Sequence, residues 1–161
     1  MTARSERWRV GAAGVLTLLL VASGSWLFWD ASSRHDSEQA GADAVQAARD
    51  AIVEMLSYQP DNADQKLNAA RDRLTGTFLE SYNQLIQTVM IPGAKQNKIT
   101  SAAKVPAAAA VSADPDHAVV LAYVDQALAV GTAPPTRTNS SVRVTMEKVD
   151  GRWLISGFDP I

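Results

Sequence analysis

Tyr123 and Asp125 stand two residues apart in a run, 117–130, whose apolar residues predict a strand, so both side chains share one face. A carboxyl group shielded from water, beside a tyrosine donor, is a pair that can polarise a carbonyl. The competing reading makes Tyr123 a core residue and Asp125 a solvated strand-end carboxylate. Asp114, Asp116 and His117 bring metal-ligand types together within four positions. The same cluster reads as a turn in which aspartates bond their own backbone. His35, the other histidine, sits in a polar stretch. There is no Gly-x-Ser-x-Gly elbow, no glycine-rich phosphate loop and no cysteine for a thiolate or a disulfide. Asn139-Ser140-Ser141 has the form of a glycosylation sequon, and is read as a loop before a strand. The expectation is therefore no enzyme, with no catalytic residue, cofactor or metal.

What must position such residues follows from the elements. The chain has 161 residues, enough for one domain. Net charge is −2, split as +2 over residues 1–9 (Arg4, Arg7 and Arg9 against Glu6) and −4 over the rest. No basic stripe of the kind that tracks nucleic acid is present, so no nucleic-acid partner is expected.

Residues 10–29, VGAAGVLTLLLVASGSWLFW, carry no charge. As a helix they would cover about 30 Å, one hydrocarbon core. Trp8, Trp26 and Trp29 flank the stretch as interfacial aromatics do, and the arginines lie on its N-terminal side. The expectation is a cytoplasmic tail (1–9), a single transmembrane helix (10–29), a juxtamembrane linker (30–40) and an extracytoplasmic domain (41–161), held by the lipid bilayer. Ala22-Ser23-Gly24 also fits a signal-peptide cleavage site.

Beyond the linker, Ala44, Val45, Ala48, Ala51, Ile52, Met55 and Leu56 recur at helical spacing over 37–58. Gln59-Pro60-Asp61-Asn62 ends that helix. A second spans 62–74, with Leu67, Ala70 and Leu74 inward. A third begins at a Thr77/Glu80 capping box, buries Phe78, Leu79, Tyr82, Leu85, Ile86 and Val89, and stops at Pro92-Gly93. Residues 99–112 are alanine-rich, and Pro106 decides for strand over helix. The strand at 117–130 has two mostly apolar faces, 131–139 is a loop, and 141–149 alternates strictly. Asp150-Gly151 signals a hairpin into 152–158. Three helices followed by four antiparallel strands make an α+β domain with helices on one face of the sheet. Helices laid over a curved sheet form a cone. Phe78, Leu121, Tyr123, Asp125 and Trp153 are the expected lining residues for a lipid or steroid bound there, the alternative function, with core packing as their other role.

RLTGTFLESY at 73–82, the alanine-rich segment after it and SSVRVTMEKVDGRWLISGFDPI at 140–161, behind an arginine-bearing tail and a span, resemble the Mce-associated membrane proteins of mycobacteria and related actinobacteria. The resemblance covers essentially the whole chain. It implies a transmembrane helix followed by a nuclear-transport-factor-two-like domain, with helices on a curved antiparallel sheet. It further implies an accessory, stabilising subunit of an Mce-type lipid importer, with Mce complex proteins or a paralogous associated protein as partners. It carries no catalytic residues.

Overall fold

The computed structural model describes residues 36–161. The tail at 1–9, the apolar stretch at 10–29, His35 and the first half of the linker lie outside the described residues. Among the described residues no helix is long and apolar enough to cross a membrane. The expected fold class, a transmembrane helix leading into the domain, is corrected accordingly. The structure shows an α+β domain, Glu38–Ile161, with helices packed on a four-stranded antiparallel sheet.

Helix α1 covers residues 36–56. Its buried residues are Ala40, Ala44, Ala48, Ala51, Ile52 and Met55, while Val45 and Leu56 sit at the margin of the core. An alanine stripe lets a helix backbone approach a sheet closely. At Gly41 an added Cβ would stand 3.3 Å from the Ala113 Cβ and 3.4 Å from that of Ala110. Helix α2 is Ala63–Ala70, continued by a 3-10 turn at Arg71–Arg73; α3 is Gly76–Leu85. The Thr77/Glu80 capping box does not form. Thr75 is the N-cap, without a side-chain bond, and Gly76 opens the helix at φ +59.

Pro92-Gly93 does not stop the third helix. A π-helical segment, Ile86–Met90, precedes α4, Ile91–Gln96, which carries Pro92 in its first turn. There the missing N–H costs nothing, and the wider turn ahead relieves the clash of the ring with the preceding carbonyls. Leu85, at the end of α3, and Val89, within the π-helical segment, face outward, against expectation: they are 46% and 58% exposed, whereas Tyr82 and Ile86 are buried.

The sheet is a meander in the order β1-β2-β3-β4: β1 Ile99–Ala113, β2 His117–Val130, β3 Thr136–Val149 and β4 Arg152–Pro160. The expected strand at 99–112 is present despite its alanines. Register shifts between Lys104 and Ala107 and between Ala110 and Ser112 place Pro106 at a bulge on an edge strand, where no ladder N–H is required. The loop expected at 131–139 shrinks, because β3 begins at Thr136. The Asp150-Gly151 turn has positive φ at both residues, +50 and +77, as a type I′ hairpin requires. The tail is tied down as β4: Ile155 is fully buried and pairs with Met146, and the Ile161 N–H donates to the Ser141 carbonyl (3.0 Å).

The free edge of β1 is closed by α1 and the residues after it. Arg49 donates through Nη1 to the Val105 carbonyl (2.7 Å) and through Nη2 to that of Ala108 (3.4 Å), spanning the Pro106 bulge. Tyr58 and Ser101 exchange both backbone bonds at 2.9 Å. The Ala103 N–H donates to Ser57 Oγ (3.0 Å), and the buried Ser101 hydroxyl donates to the Leu56 carbonyl (2.5 Å). Unpaired edge groups are thereby satisfied locally instead of recruiting another strand. Tyr82 adds a bond from its hydroxyl to the Met55 carbonyl (3.4 Å), and burial pushes its ionisation up.

Arg49→Ala should lower the unfolding free energy by about 1.5–3 kcal/mol, the contribution of charge-assisted hydrogen bonds, read by urea denaturation. Tyr82 in the unfolded chain loses its proton near pH 10 while the folded chain keeps it. The unfolded state then binds fewer protons, so stability is flat through neutral pH and falls as pH rises above about 10. Tyr82→Phe should make that alkaline loss shallower.

Candidate functional site

Cross-strand partners share a face, so the register sorts the sheet. Ala118, Val120, Ala122 and Val124 of β2, with Val142, Val144 and Met146 of β3, are buried under the helices. The alternate residues face away. The two mostly apolar faces of β2 differ in burial: Val120 and Val124 are buried, whereas Leu121 and Tyr123 are 39% and 40% exposed. The outer face of the sheet carries no layer of the described fold.

The five expected pocket residues are not brought together. Phe78, on α3, stacks on Phe158 with ring centroids 6.2 Å apart, inside the helix layer. Trp153 is buried on the inner face, its ring 5.5 Å from Lys148 Nζ. Leu121, Tyr123 and Asp125 point the other way. The interior of the expected cone is filled by Ile52, Leu67, Ile86, Val120 and Met146, all below 2% exposure.

Three rows of partners make up the central part of the outer face. Ala107, Tyr123 and Ser141 form one; Lys104, Asp125 and Asn139 the next; Ala102, Ala127 and Arg137 the third. The two alanines of the third row leave a floor with little side chain. Over it lies a groove of 580 Å³ bounded by Lys104, Asp125, Arg137 and Asn139. With the Asn139 amide nitrogen facing its acceptors, Nδ2 donates to Asp125 Oδ1 (3.2 Å) and to the Thr138 carbonyl (3.1 Å), while the Tyr123 hydroxyl donates to Asn139 Oδ1 (3.2 Å). Tyr123 and Asp125 do share a face, but they are joined through Asn139, with Tyr123 exposed and Asp125 half-buried. A carboxylate that borders an open groove and accepts from an amide lacks the water-shielded setting that polarises a carbonyl.

Asp114, Asp116 and His117 form the turn between β1 and β2. The Asp114 N–H donates to the His117 carbonyl (2.7 Å), and the Asp116 carbonyl accepts from the Lys148 N–H (2.8 Å). His117 Nε2 lies 3.8 Å from the Glu147 carboxylate across the strands. Among the described residues no three His, Asp or Glu side chains converge as a metal site would require.

Lys104 lies in the alanine-rich strand and Arg137 and Asn139 in the stretch 131–139 that reads as loop, so the register that brings the three to one groove does not show in the sequence. The Thr136-Arg137-Thr138 alternation is β-prone and was the available signal. The sequon asparagine is a strand residue whose amide is engaged by Tyr123 and Asp125.

A family profile described as "Uncharacterized protein Rv1363c/MT1408-like" matches residues 9–159. The chain belongs to the Rv1363c/MT1408-like family. Outer membrane protein Rv1973 of Mycobacterium tuberculosis (strain H37Rv) is 47% identical over 156 residues, covering 95% of this chain and 98% of that protein. In fold, the domain is similar to an IcmL-like type IV secretion system protein from Legionella pneumophila (TM-score 0.63, 15% identity, 74% of this chain and 92% of that one). It is also similar to the Agrobacterium tumefaciens VirB8 protein (TM-score 0.59, 14% identity, 74% and 90%).

Asn139→Asp should place two carboxylates directly opposite each other and cost about 0.2–1 kcal/mol at pH 7. Urea denaturation of the variant beside the parent at pH 7 checks it.

Proposed function

We propose that this chain is a non-catalytic, membrane-associated protein of the cell envelope, acting as an accessory subunit of an Mce-type lipid import system through protein–protein contact. The observation that carries this reading is the sheet itself. One face is covered by helices, and on the other, among the described residues, Leu121 and Tyr123 stand exposed beside a polar groove. Exposed apolar side chains grouped on one face of an otherwise packed domain are what an interaction surface presents. The name of the mycobacterial relative supports an envelope location. The fold shared with a secretion-system component supports work inside an assembly. The whole-chain resemblance to Mce-associated proteins supports the choice of assembly, with Mce proteins or a paralogous associated protein as partners.

The test is crosslinking in native envelopes followed by affinity purification and mass spectrometry. The tagged protein should fractionate with membranes and bring Mce proteins, or their permease and ATPase subunits, with it. An intact, well-recovered protein without those partners would remove the transporter role. Leu121→Asp together with Tyr123→Asp should reduce the partner yield at least tenfold, with the domain still folded by circular dichroism.

A further inference from the structure

The outer face has two unlike ends. At one, Ala107, Ala109, Leu121 and Tyr123 line a shallow apolar trough of 340 Å³. At the other, the 580 Å³ groove over Ala102 and Ala127 carries Lys104 on β1 and Arg137 on β3. Among the described residues, ion pairs join Arg73 to Glu54 and Lys95 to Asp64, and neither groove cation lies within 4 Å of a carboxylate. Asp125, the one acidic group on the groove, is bonded to Asn139. The groove thus carries two cations against one anion, whereas residues 36–161 sum to −4.

We propose that this groove binds the oxyanion head, carboxylate or phosphate, of an amphiphilic ligand whose apolar chain lies along the trough. A guanidinium offers two parallel N–H donors to an oxyanion, and an ammonium opposite it adds a point charge. The alanine floor leaves the room, and a volume near 600 Å³ falls within the range of about 300–1,000 Å³ common to small-molecule sites. Tyr123 belongs to the row between the two ends. Its hydroxyl is taken by Asn139, so what it offers a ligand is ring surface. The inference uses the open outer face but not the transporter partner, so purified protein alone tests it.

The experiment is methyl NMR of the full chain in dodecyl maltoside, labelled with carbon-13 at alanine methyls and titrated with octyl phosphate, octanoate, inorganic phosphate and octyl glucoside. Octyl phosphate, octanoate or both should shift the Ala102 and Ala127 methyls saturably, and the two probes distinguish a phosphate from a carboxylate head. Lys104→Ala combined with Arg137→Ala should weaken binding at least tenfold while the buried Ala48, Ala51 and Ala63 methyls stay in place, which reports intact folding. Asp125→Asn should strengthen binding severalfold by removing the opposing charge. The proposal is overturned if neither anionic probe shifts these methyls, or if octyl glucoside shifts them as strongly. It is also overturned if inorganic phosphate binds as tightly as octyl phosphate, if the double variant binds like the parent, or if Asp125→Asn weakens binding.

Discussion

The guanidinium of Arg49 holds the carbonyls of Val105 and Ala108 across the bulge at Pro106, and much of the domain follows from that clasp. It fixes α1 against the outermost strand. The alanine stripe of α1 and Gly41 let the helix lie close to Ala110 and Ala113, and Ser57, Tyr58 and the Leu56 carbonyl close the rest of the edge. A long alanine-rich edge strand is otherwise an invitation to non-specific pairing. Here the groups from Ser101 to Ala108 are satisfied from within the chain. With that edge and the inner face occupied, the outer face is the broad surface of the sheet that no described element covers.

The pattern of helices followed by strands could be read directly from periodicity, and the Asp150-Gly151 hairpin from its turn chemistry. The three departures have physical causes. Pro92-Gly93 reads as a stop, but a π-turn absorbs the proline, and Val89 within that turn is exposed. Residues 136–140 look like loop by composition, yet they pair with β2 over their whole length; register is a property of two strands and cannot be seen in one. Arg49 reads as the solvated side of an amphipathic helix, and only the fold shows the carbonyls it meets.

The candidate site was legible in part. Tyr123 and Asp125 share a face, as strand periodicity requires. Periodicity does not say which face is covered. That depends on where the helices land, and they land on the side of Val120 and Val124. Phe78 and Trp153 therefore became core residues, and Asn139, Lys104 and Arg137 became the neighbours of Asp125.

The central claim is that the outer face of the sheet is the working surface in the envelope, and the absence of cysteine from the sequence makes it directly testable. Single cysteines at Leu121 on the outer face and at Glu80, exposed on α3, would be labelled with a maleimide in native envelopes and again after purification. Protection of the Leu121→Cys thiol in envelopes, lost on purification, with Glu80→Cys labelled equally in both, is the predicted result. Equal labelling of Leu121→Cys in both states would contradict it.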